Sequence, residues 1–365
     1  MLVIMLSEMG SVVLAGPMWG QLRARYPQAQ LHLLQLKKNQ QVATLLQLAP
    51  VENLHALENA SGLRLLRSIW RVARTLRRLP VDVVIDCELF SRISSLLAFA
   101  SGAAQIAGFT PHTQEGLYRG SYITHALPYN PYRHISQQFV ALVDALHSHA
   151  TPRSKSAGLD VLPSDSGLRV DFSASELAVY RDQLQADHPR IGRHLLVLLY
   201  PGGGILPERA WPSNHYARVA AGLCAAGHAV GLIGLPEDKA LAQGIQTQVA
   251  HPRCIDLTGY TKSLRELMML LHQAQLLITN DGGPGHFASL TPVRVMMFFG
   301  PETSRLYGPL SPRASVLESG IACSPCLSAY NHRETFCDGD NQCLKRIAPD
   351  PVLQAALGHL SAPTI

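Results

Sequence analysis

The chain has 365 residues, of which 47% are apolar and 16% charged. This composition excludes a disordered or fibrous protein and leaves room for two domains with separate cores. The net charge of +5 lies in the N-terminal part, because residues 1–150 contain 13 Lys/Arg against 8 Asp/Glu and residues 151–365 contain 18 of each. We expect this surplus either to contact an anionic partner or to form a solvated face.

The chain begins with a short apolar run that predicts a buried strand rather than a secretion signal. No apolar run in the sequence has the length needed to cross a bilayer. We therefore expect a cytoplasmic location.

The N-terminal half alternates short apolar runs with helical patterns. We predict strands at residues 2–6, 30–36, 81–87 and 103–108, and helices at residues 11–25, 39–48, 62–79, 91–101 and 134–147. This alternation predicts βαβ units and a parallel sheet that is covered on both faces. A stretch rich in Pro, Ser and Gly at residues 150–168 predicts the connection to a second domain, and we place the boundary after residue 165.

The predicted helix at 62–79 carries two separate stripes. Five arginines fall within an arc of about 80° on a helical wheel, and they are Arg64, Arg67, Arg71, Arg74 and Arg78. An apolar stripe on another side predicts packing on the sheet, and it consists of Leu65, Ile69, Val72, Leu76 and Leu79. We interpret the arginines as a contact for anionic lipid head groups or a phosphorylated acceptor, with a solvated outer face as the alternative. Nucleic acid is not expected, since the chain has no recognised binding motif for it.

The second half repeats the alternation. We predict strands at residues 195–200, 229–234, 254–258, 275–280 and 293–299, and helices at residues 213–226, 236–248 and 263–274, with a last helix at 350–360. The carboxyl ends of parallel strands meet at one edge of a sheet, where ligands bind.

Two glycine-rich turns follow strands of this second half. Gly202 and Gly203 follow the first strand, and Asp281 precedes Gly282, Gly283 and Gly285, which open a helix. Glycines let backbone N–H groups approach a ligand closely, and a helix start favours anions. The carboxylate before the turn suits a sugar hydroxyl or the ordering of the loop. A tight turn without a ligand is the alternative interpretation.

The motifs occur in a characteristic order. Asp-Gly-Gly-Pro-Gly-His at 281–286 is followed by an apolar strand, by Phe-Gly-Pro-Glu-Thr at 299–303 and by Tyr-Gly-Pro at 307–309. This order resembles the C-terminal half of glycosyltransferase family 9, the bacterial heptosyltransferases that build lipopolysaccharide cores. The chain start and the turn near residue 202 extend the resemblance over most of the sequence.

The resemblance implies an α/β protein with the GT-B fold, in which two Rossmann-like, doubly wound domains face each other across a cleft. Residues 1–165 would form the acceptor-binding domain and residues 166–348 the domain that binds the nucleotide sugar. Residues 349–365 would form a C-terminal helix that packs back on the N-terminal domain.

The resemblance also implies a donor site, made by Gly202, Gly203, Arg209, Asp281, Gly282, Gly283, Gly285 and His286. The family often has a lysine two residues before a Trp-Pro pair. Arg209 stands at that position before Trp211 and would neutralise phosphate, which arginine can grip with two hydrogen bonds. A surface arginine beside a packed tryptophan is the alternative. For His286 we favour a structural role over a phosphate contact.

The expected catalytic base is missing. The family usually carries Gly-Asp where this chain has Gly10-Ser11, and that aspartate is the expected base. A serine cannot accept a proton at neutral pH without a partner. We predict that Glu8 replaces the base, while Ser11 caps the helix and shapes the loop. A merely solvated Glu8 is the alternative, with Asp86 or Glu88 as further candidates.

Cys323, Cys326, Cys337 and Cys343 have the spacing C-x2-C-x10-C-x5-C, which is compatible with zinc. Similar Cys-x-x-Cys segments occur in the resembling family without an implied metal role. We favour a structural thiol-rich loop, and we expect neither a metal nor another cofactor.

The sequence therefore predicts an inverting glycosyltransferase. It would move a sugar from a nucleotide-diphosphate donor to a lipopolysaccharide or another glycan or lipid-linked acceptor, as a peripheral protein at the cytoplasmic face of the inner membrane. ADP-heptose is the family-typical donor. A catalytically inactive protein that binds sugar nucleotides and an NDP-sugar epimerase are the other hypotheses. A dehydrogenase is disfavoured, since the first turn lacks Gly-x-Gly-x-x-Gly.

Overall fold

The computed structural model describes residues 1–6, 8–58, 61–89, 91–110, 119–148, 161–204, 206–329, 335 and 337–361. The chain divides into two compact units, Met1–Arg169 and Val170–Ile365. This division lies close to the boundary expected after residue 165. Most of the predicted connection at 150–168 falls outside the described residues.

Six parallel strands among the described residues of the first unit form one sheet. They are β1 (Leu2–Met5), β2 (His32–Leu36), β3 (Leu54–Leu57), β4 (Val83–Asp86), β5 (Gln105–Phe109) and β6 (His125–Leu127). Their spatial order is β3-β2-β1-β4-β5-β6. The helices of this unit are α1 (Met9–Leu14), α2 (Gly16–Arg25), α3 (Gln40–Leu45), α4 (Gly62–Arg78), α5 (Arg92–Ser101) and α6 (Ile135–Ala145).

The central strand of this sheet is apolar throughout because helices cover both of its faces. Leu2, Val3, Ile4 and Met5 are all buried, and β1 pairs in parallel with β2 on one side and β4 on the other. Continuous apolar runs are typical of strands in parallel sheets. The predicted strands of this unit are thus confirmed, within a few residues at their ends.

The helix predicted at 11–25 is two helices in the structure. α1 ends at Leu14, and α2 begins at Gly16 with Pro17 in its first turn, where proline is tolerated. Gly16 also lies against the backbone of Ser166, so closely that a side chain would collide with the Ser166 carbonyl. The break therefore reflects a close chain approach.

The second unit also contains one parallel sheet of six described strands. They are β7 (Leu196–Tyr200), β8 (Ala229–Leu232), β9 (Cys254–Asp256), β10 (Leu276–Asn280), β11 (Arg294–Phe298) and β12 (Ala314–Leu317). Their spatial order is β12-β11-β10-β7-β8-β9. The helices are α7 (Ala174–Asp187), α8 (Ser213–Ala225), α9 (Lys239–Val249), α10 (Leu264–Gln273), α11 (Gly283–Ala288), α12 (Ser304–Tyr307), α13 (Gln342–Lys345) and α14 (Pro349–Ser361).

Both sheets have the doubly wound order of Rossmann-like domains, in which the chain turns back beside its first strand. The direction changes between β1 and β4 in the first sheet, and between β7 and β10 in the second. In such sheets ligands bind outside the carboxyl ends of the strands at this switch point. The two switch points therefore define where a functional site is expected in each unit.

The C-terminal helix α14 packs against α8 of the second unit. Val352 and Ala356 are buried in the core of that unit, Leu353 contacts Gly222, and Arg218 forms an ion pair with Asp350 at 2.6 Å. The helix thus belongs to the second unit, and its expected packing on the N-terminal domain stays a prediction. Among the described helices of both units, none has both the length and the apolar character needed to span a membrane.

Candidate functional site

The carboxyl edge of the second sheet is organised by a buried amide side chain, that of Asn280. Its Oδ1 accepts hydrogen bonds from the Trp211 backbone N–H at 2.9 Å and the Tyr216 hydroxyl at 3.0 Å. Its Nδ2 donates to the carbonyls of Pro201 and Gly202 at 3.0 and 2.9 Å. Asn280 thus ties the end of β10 to the turn after β7 and to the segment that precedes α8. Asn280 was not among the predicted site residues.

Arg209, Asp281 and Glu302 form a buried charged cluster next to Asn280. The Nη2 of Arg209 lies 2.6 Å from Glu302 Oε2, and its Nε lies 3.5 Å from Asp281 Oδ2. The three residues are only 6, 7 and 4% exposed, respectively. Burying charges is costly unless they are paired, so this cluster holds its own geometry.

The predicted role of Arg209 changes in two ways. The alternative of a surface arginine is wrong, since the side chain is buried. Its interaction with two carboxylates was not predicted, and Glu302 was not among the expected site residues. A signal for Glu302 exists in the sequence: a carboxylate that follows an apolar strand of a parallel sheet lies at the ligand-binding edge.

The glycines of the predicted donor site fall into two classes. At Gly203 a side chain would lie 2.9 Å from Pro207 Cα, and at Gly285 it would lie 3.0 Å from Met297 Sδ. Those two glycines are needed for packing, and Gly202 similarly abuts the Asp238 carboxylate at 3.0 Å.

Gly282 and Gly283 are different. An added side chain would meet nothing closer than 3.9 Å at Gly282 and 3.5 Å at Gly283. The φ of Gly282 is 170°, which any residue can adopt. Neither packing nor backbone conformation requires glycine there, and close approach of a ligand to this backbone stays a prediction.

His286 lies on α11 and is 5% exposed. Its burial agrees with the structural role that we favoured, while its contact with a ligand stays a prediction.

The first unit places Glu8 and Ser11 at the carboxyl end of β1. Glu8 is half-buried and immediately precedes α1, and its carbonyl accepts the Ser11 amide at 3.0 Å. Ser11 is the third residue of α1, so the prediction that it caps the helix is wrong. The assignment of Glu8 as the base stays a prediction.

Asp86 is excluded as an alternative base by its surroundings. It is fully buried and paired with Arg119, and it accepts the Ser94 hydroxyl at 3.0 Å and the Glu88 amide at 3.1 Å. Burial raises the pKa of the Asp86 carboxyl, and the Arg119 guanidinium opposes that shift. A carboxylate so enclosed cannot reach an acceptor hydroxyl.

Glu88 contacts the end of β1, the strand that leads to Glu8. Its Oε1 accepts the Leu6 backbone N–H at 2.7 Å, which holds the end of β1 beside it. Glu88 is half-buried. It therefore stays a further candidate next to Glu8.

The four clustered cysteines have different environments. Cys343 is buried in the core of the second unit, Cys326 is half-buried, and Cys323 and Cys337 are exposed. All four are free thiols, and burial raises the pKa of the Cys343 thiol. A metal needs thiolates, and the described residues contain no group of three or more His, Cys, Asp or Glu that would hold a metal ion. The expectation of no cofactor stays a prediction.

Helix α4 has the packing face that was predicted. Val72 and Leu76 are buried in the core of the first unit, with Leu65, Ile69 and Leu79 at least partly covered. The five predicted arginines are all exposed, and Arg71 pairs with Glu58 at 2.9 Å. The stripe formed by these five arginines, which we call the arginine stripe, therefore lies on the surface. Its binding partner stays a prediction.

Comparison with known proteins identifies the family. The model of glycosyltransferase family 9 (heptosyltransferase) matches residues 69–336. Lipooligosaccharide heptosyltransferase 2 of Haemophilus ducreyi is 24% identical over 361 residues, which cover 97% of each chain. The Haemophilus influenzae protein of the same name is 28% identical over 130 residues, which are 35% of this chain and 37% of that protein.

A solved structure gives the corresponding match of the fold. The structure of Escherichia coli ADP-heptose LPS heptosyltransferase II has 20% sequence identity and a TM-score of 0.74, with 98% of both chains covered. The two doubly wound units thus have the GT-B architecture. Because the family match spans most of the chain, the protein belongs to glycosyltransferase family 9, the heptosyltransferases, and is a glycosyltransferase.

Proposed function

We propose that this glycosyltransferase moves heptose from ADP-heptose to a lipopolysaccharide acceptor, with inversion at the anomeric carbon. The names of its relatives support the choice of sugar, nucleotide and acceptor. The observation that carries the proposal is the buried Arg209–Asp281–Glu302 cluster, which lies beside the open glycines Gly282 and Gly283 at the switch point of the second sheet.

The donor is held by residues with complementary chemistry. Carboxylates accept hydrogen bonds from sugar hydroxyls, a role that suits Asp281. The bare backbone of Gly282 and Gly283 lets the donor approach the amides of this loop. Arg209 supplies positive charge for the leaving diphosphate, and Glu302 fixes the orientation of its guanidinium. The Arg209 guanidinium and the backbone amides of this loop stabilise the developing negative charge, so we propose that no metal is required.

The acceptor is activated by Glu8. Its carboxylate takes the proton of the acceptor hydroxyl, and the oxygen then forms a bond to the anomeric carbon. The bond from that carbon to the diphosphate breaks, and its electron pair leaves with ADP. A single displacement of this kind inverts the configuration. Ser11 lacks the basicity for the step.

The acceptor is anchored in a membrane, so the enzyme works as a peripheral protein at the cytoplasmic face of the inner membrane. The exposed arginines of α4 are suited to the phosphate groups of the acceptor or of lipids. The surplus positive charge of residues 1–150 supports this assignment.

The test is transfer by the purified protein from ADP-heptose to heptose-deficient lipopolysaccharide. We expect release of ADP and a mass gain of one heptose per acceptor. Glu8→Gln should lower kcat by about 10²-fold or more, as removal of a general base does, without changing the affinity for ADP-heptose. Ser11→Ala is the matched control and should stay within a few-fold of the unchanged protein.

Three results would contradict the proposal in different ways. Saturating ADP-heptose should stabilise the protein by about 2.7 kcal/mol at a hundred times its Kd, and absence of any shift with a panel of nucleotide sugars would remove the donor site. Stabilisation without turnover, unaffected by Glu8→Gln, would indicate an inactive binding protein. Release of ADP without transfer would indicate epimerase-like chemistry.

A further inference from the structure

Large apolar side chains are exposed side by side on two helices of the first unit. Leu63, Leu66 and Trp70 of α4 are 73, 62 and 64% exposed. Ile93, Leu96 and Phe99 of α5 are 36, 57 and 58% exposed. Contiguous apolar surface of this kind on a monomer marks a site of interaction. We call these six residues the apolar patch.

Helix α4 divides into three sectors around its axis. Ser68, Val72 and Leu76 face the core. At about 100° per residue, Leu66, Trp70 and Leu63 occupy the sector beyond one edge of that buried face. The arginine stripe from Arg74 to Arg64 occupies the remaining sector, directly next to them. The exposed side of this helix is therefore half apolar and half cationic.

Helix α5 continues the apolar sector of α4. The two helices pack against each other. Their C-terminal ends are adjacent, since a side chain at Gly102 would collide with the guanidinium of Arg77. On the wheel, Arg77 lies in the same sector as Leu66 and Trp70, so α5 borders that side of α4. Its buried residues are on the opposite face from Leu96 and Phe99. The two apolar stripes thus form one surface, with Arg77 where the two helices meet and the arginine stripe along the side away from α5.

We propose that the apolar patch inserts into the head-group region of an anionic phospholipid bilayer, while the arginine stripe contacts lipid phosphates. The proposal rests on the proposed function, in which the acceptor is membrane-anchored, and it assigns the docking surface. An apolar face beside a cationic face is the pattern by which helices lie in a membrane interface. Trp70 is suited to this depth, and the Arg74 guanidinium lies 5.3 Å from its ring centre.

A second copy of the chain fits this surface less well. In a two-fold interface the same patch contacts itself. Such a contact covers the apolar patch but gives the arginine stripes no anionic partner. An anionic bilayer satisfies both the apolar and the cationic part of the surface.

Trp70 provides a direct measurement of insertion. The chain has three tryptophans, and Trp19 and Trp211 are 0 and 1% exposed. Lipid-dependent changes in fluorescence therefore report on Trp70. With vesicles of phosphatidylglycerol and phosphatidylcholine we expect a blue shift and quenching by lipids brominated in the acyl chain. Trp70→Phe should abolish both signals. Vesicles of phosphatidylcholine alone should bind at least ten-fold more weakly.

Vesicle flotation of variants tests the contribution of the apolar patch. Leu66→Ser, Trp70→Ser and Leu96→Ser together should lower partitioning to anionic vesicles at least ten-fold. The matched control is Val179→Ser with Leu235→Ser, because these residues of the second unit are 70 and 64% exposed. This control should bind like the unchanged protein. Thermal melts in the absence of lipid verify that each variant is folded.

Two outcomes would overturn the proposal. If the triple variant floats with anionic vesicles as well as the unchanged protein does, the apolar patch does not insert. If sedimentation shows a dimer without lipid that the triple variant converts to a monomer, the patch is an interface between copies. Binding is measured without donor or acceptor, so these outcomes are independent of the transfer assay. Vesicle binding without heptosyl transfer would refute only the proposed function.

Discussion

The two sheets have the same strand order, and each has a buried arginine at its carboxyl edge, but the two arginines differ in their surroundings. Arg119 in the first unit pairs with one carboxylate, that of Asp86. It also donates to the Ser94 hydroxyl at 2.7 Å and to the carbonyls of Ser91 and Phe109, both at 3.1 Å. The pair is neutral and is enclosed by the protein itself.

Arg209 in the second unit lies between two carboxylates, those of Asp281 and Glu302. Beside it are glycines that neither packing nor backbone conformation requires. The difference between the two arginines distinguishes buried ions that stabilise the fold from buried ions that are suited to bind a ligand. A neutral pair with saturated hydrogen bonds stabilises the fold, whereas a guanidinium shared by two carboxylates beside bare backbone is suited to a ligand.

The largest expected effect concerns the first cluster. Asp86→Ala leaves the Arg119 guanidinium buried and without its counter-ion, so the free energy of unfolding should fall by about 3–5 kcal/mol. Urea denaturation of the variant measures this loss. The control is Asp165→Ala, which breaks an exposed pair with Arg169 at 3.1 Å and should cost about 0–1 kcal/mol. Equal losses in the two variants would show that enclosure of Arg119 does not matter.

The second prediction concerns Asp281→Asn. The remaining Arg209–Glu302 pair is neutral. The free energy of unfolding should therefore fall by less than it does in Asp86→Ala, for which we expect a loss of about 3–5 kcal/mol. The kcat/KM for ADP-heptose should fall about 10- to 100-fold, since a hydrogen bond to a charged group is worth about 1.5–3 kcal/mol.

The matched control for this variant is Asp256→Asn, at the carboxyl end of the edge strand β9, where the carboxylate accepts the Thr258 amide at 2.9 Å. Its kcat/KM should be unchanged within about two-fold, as expected for a residue away from the switch point. A loss as large as that of Asp281→Asn would remove the distinction between the switch point and the sheet edge.

The sequence was sufficient to predict what depends on local pattern. The strands β1, β7, β10 and β11 were recognised because strands buried on both faces are continuously apolar. The switch-point loops followed from their glycines. The edge strands β3, β6 and β12 were missed, since each is short and contains a polar residue that interrupts the apolar run: His55, His125 and Ser315.

The interactions within the two clusters depend on long-range contacts. Asn280 bonds to groups 64 to 80 residues away in the chain, and Arg119 reaches an aspartate 33 residues away. No local periodicity encodes such distances. The exposure of Leu63, Leu66 and Trp70 was missed for a related reason, because a helical wheel shows the faces of a helix but not which of them the fold covers.

The third prediction compares two glycines that follow β10, Gly285 and Gly282. Gly285→Ala forces a methyl group against Met297 and Thr279, at 3.0 and 3.1 Å, and should cost about 1–3 kcal/mol of stability through overpacking. Gly282→Ala has room and should melt close to the unchanged protein, while its affinity for ADP-heptose falls. Thermal melts with and without ADP-heptose measure both. A Gly282→Ala variant with unchanged affinity would show that the donor does not approach this backbone.

The smallest expected effect is a pH dependence confined to the first unit. His32 and His55 stack with ring centres 5.4 Å apart, and burial lowers the pKa of both imidazoles. The folded-state pKa of each imidazole lies below the unfolded value near 6.5. This contribution to stability is therefore fully present above about pH 6.5 and is lost as the pH falls through the folded-state pKa. His55→Gln removes one titrating group, so the loss of stability between pH 7.5 and 5.5 should shrink by less than about 1 kcal/mol. Urea denaturation at both pH values measures the difference, and an unchanged pH dependence would show that this histidine pair, unlike the two arginine clusters, has no energetic role.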